Sequence, residues 1–123
     1  MNIRASAEDY LETILMLSKR IGTVRSIDIV EEMGFSKPSI SVAMKKLRES
    51  NLILMNEEGY ITLTKEGEQA AEQVYERHST LYEWLMSIGV GSTTAALDAC
   101  RMEHILSDDT FAAIKRLHEQ HRQ

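Results

Sequence analysis

The sequence predicts a mainly α-helical fold carrying one small β-hairpin, and three observations predict it. Apolar residues recur at steps of three and four through most of the chain. One pair of short β-rich runs, Leu52-Ile53-Leu54-Met55 and Tyr60-Ile61-Thr62-Leu63, flanks the turn Asn56-Glu57-Glu58-Gly59. Ser, Thr and Gly punctuate the helical runs as starts and stops. A chain of 123 residues suits one compact domain or two small ones sharing a helix, and it buries enough surface to need neither disulfide nor structural metal. Cys100 is its single cysteine, which excludes a disulfide framework and a Cys₄ or Cys₂His₂ zinc set and points to the cytoplasm. No apolar run approaches the roughly 20 residues that span a bilayer, and the N-terminus has no apolar signal segment, so no membrane partner is expected.

The elements follow in order. Ser6 with Asp9 three residues on reads as a capping box, and Tyr10, Leu11, Ile14, Leu15 and Leu17 continue at helical spacing, so the first helix is predicted over about 7–20. Gly22 stops it. Ser26 is the predicted N-cap of a helix over about 27–33, with Ile27, Ile29, Val30 and Met33 as its apolar positions. Gly34-Phe35 makes the turn. Ser36 caps the next helix and Pro38 sits in its first turn, where a missing N–H costs nothing. Ile40, Ala43, Met44 and Leu47 form its apolar stripe, and the helix should end near Ser50-Asn51. After the hairpin, Thr64 caps a long helix of roughly 65–88, whose stripe Leu81, Trp84, Leu85 and Ile88, with the apolar positions of the last two helices, offers a dimer face; the competing reading is intramolecular core. Gly89-Val90-Gly91 ends it. Helices over about 93–105 and 108–121 complete the chain, with Ser107 as N-cap and Asp108 and Asp109 at the second N-terminus.

Helix, helix, turn, helix, hairpin is the order of a winged helix-turn-helix, in which the helix after the turn enters the DNA major groove. Overall the chain carries −5, which argues against indiscriminate nucleic-acid binding. Residues 36–50 nevertheless hold Lys37, Lys45, Lys46 and Arg48 against Glu49 alone. A basic helix on an acidic protein is the local footprint of duplex recognition. Ser36, Lys37, Pro38, Ser39 and Ser41 lie where side chains and free N–H groups can meet base edges and phosphates, and Lys45 and Lys46 suit phosphates. The acidic wing tip, Glu57-Glu58, is repelled by phosphates.

Cys100, Glu103 and His104 stand at i, i+3 and i+4, a spacing that puts a thiol, a carboxylate and an imidazole on one side of a helix. Asp9 and Glu12 form a second carboxylate pair at i and i+3, and His78 lies midway along the long helix. Each has an ordinary explanation taken singly: helix-start acid, solvated charge, surface histidine, small core hydrophobe. Spacing alone leaves the choice open.

Glu8-Asp9-Tyr10-Leu11-Glu12-Thr13-Ile14, Ser36-Lys37-Pro38-Ser39-Ile40-Ser41, Val74-Tyr75-Glu76-Arg77-His78 and the run from Asp98 to Ser107 together resemble the diphtheria toxin repressor / manganese transport regulator family, in register over almost the whole chain. The resemblance implies a homodimeric, metal-activated transcription factor that binds Fe²⁺ or Mn²⁺, with other divalent transition metals able to substitute in vitro. Palindromic double-stranded operator DNA is the implied partner. Carried over by position, Asp9, Glu12, His78, Glu103 and His104 match ligands of the manganese branch. Cys100 matches the thiol-bearing position of the iron branch. Tyr82 and Ala96 stand where that branch places ancillary ligands, so a separate ancillary site is not expected, nor is the SH3-like third domain of longer members. His118 and His121 match no ligand position and read as solvated.

These readings predict a winged helix-turn-helix domain over 1–64 and a helical metal-binding and dimerisation domain over 65–123. The expected function is metal-dependent repression of metal-uptake genes, with no enzymatic activity. Fe²⁺ is the first expectation because a thiolate favours softer ions, and Mn²⁺ follows. The alternative is a metal-independent winged-helix regulator answering a small molecule or a redox signal. A metallohydrolase would need an open coordination position beside a substrate cleft, and the chain has no Gly-rich phosphate loop to build one.

Overall fold

The computed structural model describes residues 3–122, with side chains from Ala7 onward. Among them the order is α1 (Ile3–Ile21), α2 (Ser26–Met33), α3 (Lys37–Glu49), β1 (Ile53–Met55), β2 (Ile61–Leu63), α4 (Lys65–Ser87), α5 (Ser92–Met102) and α6 (Asp108–Arg122). The predicted class and element order are observed. Two compact units divide between Gln73 and Val74, inside α4.

In the first unit every element contributes to one core. Leu11, Ile14, Leu15 and Leu17 come from α1, Ile29 from α2, Ile40, Met44 and Leu47 from α3, Ile53 and Ile61 from the strands and Ala71 from α4, all buried. The helical stripes read from the sequence for α1 and α3 are therefore buried faces, whereas in α2 only Ile29 is buried and Ile27, counted among its apolar positions, is exposed. β1 and β2 pair antiparallel, Ile53 opposite Leu63 and Met55 opposite Ile61, so the period of two sends Ile53 and Ile61 inward and leaves Leu54 exposed. Gly59, at φ 83°, takes the left-handed conformation that lets its N–H reach the Asn56 carbonyl at 3.0 Å and close the turn.

The tie between the wing and the helices was not predicted. The Ile61 N–H donates to the Val24 carbonyl at 2.7 Å, and the Arg25 guanidinium lies 4.4 Å above the Tyr60 ring. Gly67 is equally specific. A Cβ there would stand 1.9 Å from the Leu52 carbonyl oxygen, so the first turn of α4 packs onto the entry to β1 only because this residue has no side chain.

Several helix ends differ from expectation. Helix α1 already runs from Ile3, so Ser6 lies inside it and cannot be its N-cap; nothing between residues 3 and 7 breaks a helix. The N-cap of α2 is Arg25 rather than Ser26, and the Asp28 carboxylate reaches back to accept the Arg25 N–H at 2.8 Å. Ser36 caps α3 as predicted, its hydroxyl accepting the Ser39 N–H at 3.3 Å. Helix α5 stops at Met102, short of the predicted 105, because the chain tightens there: the Ile105 N–H turns back to the Met102 carbonyl at 3.1 Å.

The second unit has its own core of Leu81, Leu85, Ala95 and Ala99, with Trp84, Val90, Met102, Leu106, Phe111 and Ile114 packed around it. Most of the stripe expected at a dimer face is thus internal, and only Ile88 of that set is exposed. His118 is corrected as well. It is buried, its Nε2 3.4 Å from Glu83 Oε2, because it falls on the face of α6 turned toward α4. His121 is exposed as expected. Among the described residues no helix is long and apolar enough to cross a membrane.

Candidate metal centre and nucleic-acid interface

Helix α3 is divided by its own periodicity. Ile40, Met44 and Leu47 are buried, while Ser36, Lys37, Pro38, Ser39, Ser41, Lys45 and Lys46 are all exposed. Each residue singled out from the sequence for DNA therefore lies on the solvent side, at the N-terminus or along the helix. The Ser36 cap takes one of the free N–H groups, and Pro38 removes another. The wing tip, Glu57-Glu58, is exposed and acidic.

The metal candidates of the second unit converge at the end of α5. One ligand atom from each of Cys100, Glu103 and His104 lies within 4.8 Å of the others. Only Cys100 is in the helix; Glu103 is its C-cap, at φ −60° and ψ −23°, and His104 follows in the turn. The single helix expected to carry all three is therefore a helix end, whose near-helical backbone still keeps them together. His78 joins from α4, its Nδ1 3.1 Å from Glu103 Oε2. His104 Nε2 is 3.4 Å from Glu103 Oε1.

Glu103 is the chemically decisive member. Its side chain is 0% exposed, yet neither carboxylate oxygen has a hydrogen-bond partner among the described residues. Burying an ionised carboxylate without donors costs several kcal/mol, so such groups are paired or coordinate metals. Two imidazoles beside it and an exposed thiol one turn back make a set of nitrogen, oxygen and sulfur donors that fits a divalent transition metal. This is a metal-binding site.

In the first unit Asp9 and Glu12 share one face of α1, and both are half-buried. One contact beside these residues escaped the sequence reading. Arg77 precedes His78 on α4, and its Nη1 donates to the carbonyls of Glu103 at 3.3 Å and Leu106 at 2.8 Å. Partners some 26 and 29 residues away leave no periodic trace that could have revealed it.

Known proteins share this organisation. Residues 2–68 match the iron dependent repressor N-terminal DNA binding domain, and residues 64–123 match the iron dependent repressor metal binding and dimerisation domain. The transcriptional regulator MntR of Escherichia coli O6:H1 is 33% identical over 96% of this chain and 76% of its own length. An uncharacterized HTH-type transcriptional regulator of Methanocaldococcus jannaschii is 31% identical over 89% of this chain and 90% of its own. Among solved structures, a manganese-dependent transcriptional repressor in complex with manganese superposes with a TM-score of 0.83 at 29% identity, over 92% of this chain. The manganese regulator SloR gives 0.80 at 29% over 90%. The chain spans about half the length of these two structures.

Proposed function

This chain belongs to the iron-dependent repressor family of metal-dependent transcriptional regulators, and from that premise we propose that it represses metal-uptake genes by binding palindromic operator DNA as a homodimer once Fe²⁺ or Mn²⁺ is bound. The family is one of DNA-binding regulators rather than enzymes. The observation that carries the proposal is the buried Glu103 carboxylate, without a hydrogen-bond partner among the described residues and flanked by the nitrogens of His78 and His104.

Asp9, Glu12, His78, Cys100, Glu103 and His104 are the proposed ligands. A divalent cation supplies the positive charge that these acids lack among themselves. In its absence carboxylates gathered at one site repel one another. Asp9 and Glu12 belong to α1, the helix whose Leu11, Ile14 and Leu17 share a core with Ile40 and Met44 of α3. Holding those two acids therefore restrains the DNA-reading helix through a packed core. Two such helices in a dimer enter successive major grooves only when about 34 Å apart, so restraint raises affinity by shifting the population toward the competent spacing. Metal at 100 times its dissociation constant contributes about 2.7 kcal/mol to that shift, roughly a hundredfold. Exposed Ile88, Leu97 and Ile105 of the second unit supply apolar surface for the homodimer.

Operator binding measured with Fe²⁺ or Mn²⁺ and then with a chelator tests the proposal. The dissociation constant is expected to rise about a hundredfold on chelation. Equal binding in both conditions would overturn it. Within α3 the expected division of labour is also measurable. Lys45→Ala or Lys46→Ala weakens binding alike on operator and random DNA and lowers the salt slope by about one, whereas Ser39→Ala or Ser41→Ala lowers the ratio between the two DNAs. Equal losses on both DNAs for all four variants would contradict that division.

A further inference from the structure

Resting on the metal-dependent reading, we propose that Arg77 is a positioning residue of the metal centre, holding the Glu103–His104 turn in ligating geometry through its guanidinium fork. The side chain is only 17% exposed, and each of its arms is engaged. Nη1 donates to the Glu103 carbonyl at 3.3 Å and to the Leu106 carbonyl at 2.8 Å. Nη2 pairs with the Asp108 carboxylate, at the N-terminus of α6, and the guanidinium carbon lies 5.1 Å from the Phe111 ring centre.

The placement matters because the ligands stand where a helix has run out. Past Met102 the backbone tightens into i→i−3 bonds, the His104 N–H reaching the Arg101 carbonyl at 3.4 Å and the Ile105 N–H the Met102 carbonyl at 3.1 Å. Glu103 and His104 are thus carried on a turn, a backbone form with less internal support than the helix that carries Cys100. Arg77 supplies external support from a rigid neighbour, joining the end of α5 to the start of α6. It also acts on the same residue as the next side chain in sequence: Arg77 holds the Glu103 backbone while His78 Nδ1 stands 3.1 Å from the Glu103 carboxylate. Two consecutive residues of α4 therefore contact Glu103, one at its backbone carbonyl and one at its carboxylate.

A lysine offers one compact charge and cannot reach two carbonyls and a carboxylate in fixed directions, so the fork and not the charge is the functional feature. Removing support for a metal ligand typically weakens metal binding by about 10- to 100-fold. Arg77→Lys is therefore expected to raise the Mn²⁺ dissociation constant by about 10- to 100-fold and to alter the electron paramagnetic resonance line shape of the bound ion. Zn²⁺, satisfied by four ligands, should lose several-fold less than Mn²⁺.

The experiment is equilibrium binding of Mn²⁺ and of Zn²⁺ alone to the full chain, with unfolding followed by circular dichroism in the absence of metal. Arg77→Lys that binds Mn²⁺ with the wild-type constant and line shape overturns the proposal, and so does loss by the same factor for both ions, the signature of general destabilisation. Should Arg77→Lys fail to unfold cooperatively, Asp108→Ala carries the test. That carboxylate is 99% exposed, and losing its arm of the fork should weaken Mn²⁺ binding about twofold to fivefold; an unchanged constant overturns the proposal. A wild-type chain that binds neither ion removes the metal-dependent reading itself, a result distinct from any loss confined to the variants.

Discussion

Glu103→Gln is expected to abolish metal-activated operator binding while leaving the metal-free fold at least as stable as before. The wild-type carboxylate is fully buried without a hydrogen-bond partner among the described residues, so metal-free folding bears its desolvation cost. A neutral amide of the same shape bears less. With metal the sign reverses, because the amide supplies no charge and a poorer donor. The dissociation constant for Mn²⁺ should rise by at least about 100-fold, beyond what loss of a merely supporting residue costs. Thermal unfolding with and without metal reads both effects in one experiment. Wild-type protein at 100 times its dissociation constant should gain about 2.7 kcal/mol from the ion, and the variant almost none. A variant that is still stabilised by metal to the wild-type extent would show that Glu103 is not a ligand.

Cys100→Glu is expected to move selectivity from Fe²⁺ toward Mn²⁺. Cys100 lies exposed on α5, so a longer side chain there meets no core and the change is one of donor chemistry. A thiolate raises affinity most for the softer and more strongly binding ions, whereas a carboxylate suits Mn²⁺. The ratio of Fe²⁺ to Mn²⁺ affinity should fall by about tenfold or more, the equivalent of one strong ligand preference of about 1.4 kcal/mol. The measurement is operator binding under anaerobic conditions, titrated with each ion separately. A ratio of Fe²⁺ to Mn²⁺ affinity unchanged from wild type would mean that another ligand sets selectivity and that the thiol is a spectator.

Elements with a strong period were legible in the sequence. Ile40, Met44 and Leu47 read as one buried helical face and are that face, and the hairpin turn around Gly59 follows from local chemistry that needs no tertiary context. Helix ends were less legible. The Ser6 cap failed because a helix with no breaker upstream continues past a residue that merely could cap it, and Ser26 yielded to Arg25 because Asp28 already supplied the acceptor. The stripe from Leu81 to Ile88 was periodic but ambiguous, since apolar spacing says that a face is covered and not by what.

For the site, sequence determined the donor types and those spacings that one helix turn imposes, as for Asp9 with Glu12 and for Cys100 with Glu103 and His104. It could not determine that Glu103 is fully buried, that His78 stands beside its carboxylate, or that Arg77 holds its carbonyl. Nor could it reveal that Gly67 is required by the Leu52 carbonyl rather than by any turn. The division has one physical cause. Capping, periodicity and i, i+3 or i, i+4 neighbours depend on bonds within a few residues, so the local sequence contains their energies. Burial and contacts across 25 or more residues arise only when elements pack, and the same side chain then changes from a solvated charge to a buried, engaged group according to what the packed chain places around it.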